Sequence, residues 1–143
     1  MAKVSISGAE ELMATLQKAD MFDAEMQQEL LYAAGDIIVE ELQKMVRSSG
    51  FNTSHYAKSV KYAKKIKYDK YGDPFISITA TGKNEHGERR ATVLFVLNYG
   101  RSKKYGKIDG TYFWTKGVRD AKKRVDAELE KILEQKLKER GLT

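Results

Sequence analysis

Residues 92–119 read TVLFVLNYGRSKKYGKIDGTYFWTKGVR and hold the single Trp of the chain, three of its eight Tyr and two of its five Phe. Three parts follow one another. Ala91 to Leu97 is a nearly continuous apolar run, the pattern of a strand buried on both faces, and is expected to be the central core strand. Gly100 accepts a positive φ without steric cost, which lets the chain leave that strand abruptly. Arg101, Lys103, Lys104 and Lys107 then make a basic arm with Tyr99 and Tyr105 interleaved. Tyr112, Phe113 and Trp114, together with Gly100, are expected to anchor the arm to the core. Thr111 is suited to cap a final helix, whose apolar stripe is Val118, Ala121, Val125, Leu129, Ile132/Leu133 and Leu137.

Working upstream, Phe75 to Thr81 alternates Ile76, Ile78 and Ala80 with Ser77 and Thr79, the period of a strand with one buried face. Val60 to Tyr68 alternates as well, with Val60, Tyr62, Ile66 and Tyr68 on one face, and Lys64 interrupts that face as an edge residue would. Turns are expected at 69–74, which holds the single Pro, and at the charged 82–90 loop. Ala24 to Arg47 is an amphipathic helix by spacing, with Met26, Leu30, Ala33/Ala34, Ile37/Ile38, Leu42 and Met45 recurring every three to four residues. Gly35 inside it costs about 1 kcal/mol relative to Ala, so a close neighbour is expected there. Before it, Val4 and Ile6 suggest a short strand, Ser7 to Glu10 a capping box, and Leu12, Leu16 and Ala19 a short helix. The sum is an α+β fold: an antiparallel β-meander packed against an N-terminal helix pair and a long C-terminal helix.

With 143 residues, one domain spanning 1–143 is expected, long enough to bury about 68% of its unfolded surface. No Cys is present, which excludes disulfides, thiolate catalysis and Cys-based zinc sites. No apolar run reaches signal-peptide or membrane-spanning length, so a soluble intracellular chain with no membrane partner is expected. The net charge of +6 is unevenly placed. Residues 1–60 carry five Lys/Arg against nine Asp/Glu, and residues 61–143 carry 21 against 11. That asymmetry suits either a nucleic-acid partner or one subunit's basic side meeting a neighbour's acidic side.

No pattern for chemistry emerges. His55 and His86 fall in expected loops without metal spacing. Ser48, Ser49, Ser54 and Ser59 suit capping and turns. Lys103 to Lys107 lacks the spacing of a phosphate-binding loop. The expectation is no enzyme, no metal and no cofactor. The basic arm is the remaining candidate, and its composition fits three roles: single-stranded nucleic acid binding, a protein interface, or a solvated loop. The acidic helix offers a complement on an identical chain. Tyr99, Arg101, Lys103, Lys104, Tyr105 and Lys107 would then meet Glu29, Glu40 or Glu41 of a neighbour, a heterologous contact that can close into a ring.

The order of these signals resembles the tail-component, head–tail joining or tail-completion proteins of tailed phages and prophages. An amphipathic helix leads through a Ser/Thr loop to a strand. Val96-Leu97-Asn98-Tyr99-Gly100-Arg101-Ser102-Lys103-Lys104 supplies an apolar segment ending in an aromatic-Gly turn. Tyr112-Phe113-Trp114-Thr115-Lys116 opens the last helix. Together these span about residues 8–138. Two places depart from the family pattern: Ser54 and Tyr56 stand where many members have Gly and Leu, and Tyr112 stands where many have Pro. The resemblance implies a structural virion protein that forms or completes the ring joining tail to head. It implies self-association, as a hexameric ring, with other neck and tail proteins as partners. It further implies a place in the virion, with assembly in the host cytoplasm, no cofactor and at most weak contact with DNA. The alternative kept beside it is a small basic nucleic-acid-binding protein.

Overall fold

The computed structural model describes residues 2–5, 24–49, 55–102, 106–139 and 141. The expected first short helix, its capping box, and Lys103, Lys104 and Tyr105 of the arm lie outside the described residues. The described elements are β1 (Ala2–Ser5), α1 (Ala24–Ser48), the single turn α2 (Tyr56–Ser59), β2 (Val60–Tyr62), β3 (Lys67–Tyr68), β4 (Pro74–Ala80), α3 (Arg90–Tyr99), β5 (Gly100–Arg101), β6 (Ile108–Asp109) and α4 (Phe113–Glu139). The class is α+β: helices against a small antiparallel sheet.

β4 is the centre of that sheet. β1 pairs with it through Val4 opposite Ile76, and β2 through Tyr62 opposite Ile78, both antiparallel. β3 adds Lys67 opposite Phe75. Ile76, Ile78 and Ala80 point into the core, in the expected alternation. The expected strand 60–68 is two short pieces: Ala63 still donates its amide to the Ser77 carbonyl at 2.8 Å, and the chain then departs until Lys67. Lys64 lies in that break, where the Tyr32 hydroxyl donates to its carbonyl at 2.6 Å.

α1 buries two adjacent rows of side chains. Met26, Leu30, Ala34, Ile38, Leu42 and Val46 follow one i, i+4 row, and Leu31 and Gly35 lie beside it. The rows are broad because α1 serves two neighbours. One flank meets the sheet at Gly35, where an added Cβ would come within 2.9 Å of Tyr62 and 3.0 Å of Ile76. The close approach expected at that glycine is therefore the sheet itself. The other flank meets α4, whose Ala121, Val125, Leu129, Leu133 and Leu137 are buried at helical spacing. Burying each of those Leu and Val side chains stabilises by roughly 1.5–3 kcal/mol, far more than helix propensity contributes, so packing on α1 holds α4 in place.

One expected element is different. Ala91 to Leu97 is not the central strand and no third meander strand: it is helical, within α3. Leu94 and Asn98 are buried four residues apart, Val93 and Leu97 are partly buried four residues apart, and Phe95 and Tyr99 face solvent. A short apolar run carries no period of its own, so packing arbitrates between strand and helix. Here β4 is already flanked on both sides, by β1 and by β2 and β3. The run lies against the sheet as a helix and stops at Gly100, which takes φ 83° and donates its amide to the Val96 carbonyl.

Candidate interaction surface

The arm begins where α3 stops. β5 and β6 pair antiparallel, Gly100 opposite Asp109 and Arg101 opposite Ile108, which makes the arm a short β-hairpin. Its root is tightly closed. A Cβ on Gly100 would fall 2.5 Å from the Ile108 carbonyl oxygen, and one on Gly110 would fall 2.5 Å from the Asn98 oxygen. Both positions therefore require Gly. The Arg101 Nε donates to the Gly106 carbonyl at 2.7 Å, and the Lys107 ammonium lies 3.8 Å from Asp109. Arg101 and Lys107 are exposed.

The hairpin is tied to α4 through Asn98, a residue the sequence reading used only as part of a turn. Asn98 is 2% exposed. Its Oδ1 accepts the amides of Trp114 at 3.0 Å and Thr115 at 3.3 Å, and its Nδ2 donates to the Thr115 hydroxyl at 3.0 Å. Those amides belong to the first turn of α4 and have no partner within the helix. The cap expected from Thr111 is thus supplied by Asn98. Thr111 instead donates both its amide and its hydroxyl to the Leu97 carbonyl, at 3.1 and 3.3 Å. The signal that could have found Asn98 is its place four residues after Leu94, a polar residue on the buried row of a helix.

The aromatic triplet divides. Phe113 and Trp114 are buried, while Tyr112 takes a left-handed φ of 56° and is 49% exposed. That φ is unfavourable for a non-Gly residue; the Tyr112 amide offsets part of the cost by donating to the Asn98 carbonyl at 2.9 Å. The turn sets Tyr112 beside Tyr99, with ring centroids 6.1 Å apart and nearly perpendicular, and Tyr99 sits 4.8 Å from Phe95. All three rings are about half exposed. The root of the basic hairpin is therefore a contiguous aromatic patch, of which the sequence reading named Tyr99 and Tyr112 and missed Phe95.

The acidic residues expected to receive a neighbour's arm are engaged at home. Lys136 is 3.3 Å from Glu29, and Arg124 is 3.4 Å from both Glu40 and Glu41. These ion pairs join α4 to α1 along the same seam as the apolar stripe. The hydrogen bond that Lys136 donates to Glu29 and the charges of Glu29 and Glu139 raise the Lys136 pKa above its ordinary value. Between the two helices Ala33, Asp36, Ile37, Arg124, Ala127, Glu128 and Lys131 line an open groove of about 550 Å³. Against the sheet, burial and the nearby Asp36 carboxylate raise the Tyr62 phenol above its ordinary value.

His55 lies at the left-handed turn before α2, and exposed His86 is 3.6 Å from Glu85 in a loop organised by Asn84. No group of three or more His, Asp and Glu suited to a metal occurs among the described residues, and no described helix is long and apolar enough to cross a membrane. No family model, curated protein or solved structure matches the chain.

Proposed function

We propose that the protein is a structural component of a tailed phage or prophage, which self-associates in a ring and joins tail to head. The resemblance carries the biological setting. The observation that supports a contact role is the pairing of Gly100–Arg101 with Ile108–Asp109, with Arg101 and Lys107 exposed and the root closed by Gly100 and Gly110 and tied to α4 by Asn98. Such anchoring holds an exposed element in one orientation, so less conformational entropy is lost when a partner is bound. Glu29, Glu40 and Glu41 already pair with Lys136 and Arg124 within the chain, so the arm of a second copy would have to compete with these pairs.

Sedimentation velocity over a range of protein concentrations, with electron microscopy of the largest species, tests the reading. Closed rings that are lost when residues 102–107 are replaced by Asn-Gly support it. A chain that stays monomeric at high concentration, alone and with co-produced neck and tail proteins, overturns it. Arg124→Ala frees Glu40 and Glu41. It should leave ring formation unchanged, whereas stronger assembly would restore the acidic face of α1 as the arm's partner.

A further inference from the structure

We infer that the aromatic root of the hairpin and the basic stripe leading from it along α4 form a binding site for single-stranded nucleic acid. This goes beyond the assembly reading and stands without it. Phe95, Tyr99 and Tyr112 form one patch of half-exposed rings. Tyr112 is the residue before α4, and the positions four, seven and eleven residues on, spaced three and four apart within the helix, share one face of it. They are Lys116, Arg119 and Lys123, all exposed. In the hairpin, Arg101 and Lys107 are exposed as well. Cations thus flank Tyr112 along the chain, in the hairpin before it and on α4 after it; Lys107 lies 3.8 Å from Asp109 and Arg119 3.6 Å from Asp120, while Lys116 and Lys123 make no ion pair among the described residues.

The kind of cation decides between partners. Cores of protein–protein interfaces are enriched in Arg and depleted in Lys. Of the five exposed cations named, three are Lys (Lys107, Lys116, Lys123) and two are Arg (Arg101, Arg119), and Arg124 is committed to Glu40 and Glu41. Lys acts as a compact point charge on phosphate. Every base has a face that stacks on an aromatic ring whatever its sequence. A track of Lys beside exposed rings therefore fits a phosphate backbone with unpaired bases better than an acidic protein surface. Paired bases are stacked on one another, so duplex would engage the cations alone.

The experiment is fluorescence anisotropy of the full chain with a labelled 20-nucleotide oligo(dT), repeated with a 20-base-pair duplex and with poly-Glu as competitor, each at several salt concentrations. The expected result is salt-dependent binding to oligo(dT), tighter than to the duplex and resistant to poly-Glu. Tyr99→Ala should weaken it at least about fivefold, and Tyr99→Phe should keep it. Lys116→Glu with Arg119→Glu should abolish it, whereas Lys131→Glu with Lys138→Glu, the same charge change farther along α4, should leave most of it. Absence of oligo(dT) binding overturns the inference, as do equal affinity for duplex, equal loss from the distal charge pair, or ready displacement by poly-Glu, which would point to an acidic protein. None of these outcomes bears on ring formation, which sedimentation reads separately.

Discussion

The side-chain oxygen of Asn98 accepts the backbone amide of Trp114 at 3.0 Å, across a separation of 16 residues. A helix is thereby capped by a residue from the end of the preceding helix, and the hairpin between them is closed at its base. Asn98→Ala leaves the Trp114 and Thr115 amides without their acceptor in a buried place and should lower stability by about 1–3 kcal/mol. Asn98→Asp keeps the acceptor and adds a charge that the helix N-terminus favours, so it should lose less. Urea midpoints measure both, and an Ala variant as stable as the parent would show that the cap contributes nothing.

Two helical glycines make different predictions. At Gly35 a methyl group would come within 2.9 Å of the Tyr62 ring and 3.0 Å of Ile76. Overpacking of this kind costs about 1–3 kcal/mol, more than the roughly 1 kcal/mol that Ala gains in a helix, so Gly35→Ala should destabilise. At Gly117 the nearest atoms are Leu42 Cδ2 at 3.0 Å and Met45 Cγ at 3.1 Å. Met45 is an unbranched, partly buried side chain that can give way, so Gly117→Ala should change the urea midpoint little. A stabilised Gly35→Ala variant would contradict the close seating of α1 on the sheet.

Gly100→Ala should be the most damaging change in the hairpin. Its φ of 83° with an extended ψ of −179° is a region essentially restricted to Gly, and the added Cβ would meet the Ile108 oxygen at 2.5 Å. Faster amide hydrogen exchange at residues 108–112, with α1 still protected, is the expected signature. Exchange unchanged from the parent would mean that the root is not closed as described.

Alkali should weaken the fold through Tyr62 and Lys136. The Tyr62 phenol is raised above its ordinary 10.0 and the Lys136 ammonium above its ordinary 10.5. Below those values the folded and unfolded chains hold the same protons. As pH rises past them the unfolded chain releases protons first, so stability is lost through the raised folded values. Tyr62→Phe should flatten the fall in urea midpoint above pH 10, and Lys136→Met should remove a smaller part. A fall as steep in Tyr62→Phe as in the parent would assign the effect to other groups.

The α1–α4 ion pairs predict a small effect. Exposed pairs of this kind contribute about 0.2–1 kcal/mol, and the Glu40 side chain is 70% exposed. Glu40→Gln should cost less than Glu41→Gln, because the Glu41 side chain is only 14% exposed and its pair with Arg124 is less screened. The comparison is read in urea at low and moderate salt, where only the Glu40 difference should vanish.

Sequence alone determined the parts of this protein whose signal repeats along the chain. The rows of α1, the stripe of α4 and the alternation of β4 each recur at the period of their own backbone, so they are legible without a neighbour. The need for close approach at Gly35 and for a positive φ at Gly100 was legible for the same local reason. Tertiary structure alone decided the rest. An apolar run as short as 91–97 fits strand or helix, and the sheet, with β4 already flanked by β1 on one side and by β2 and β3 on the other, left it to pack as a helix. The partner of Asn98 lies beyond a hairpin, and the partners of Glu29, Glu40 and Glu41 lie on α4, some hundred residues away. Hydrogen bonds and ion pairs between distant segments leave no period in the sequence, because nothing local requires the two partners to match.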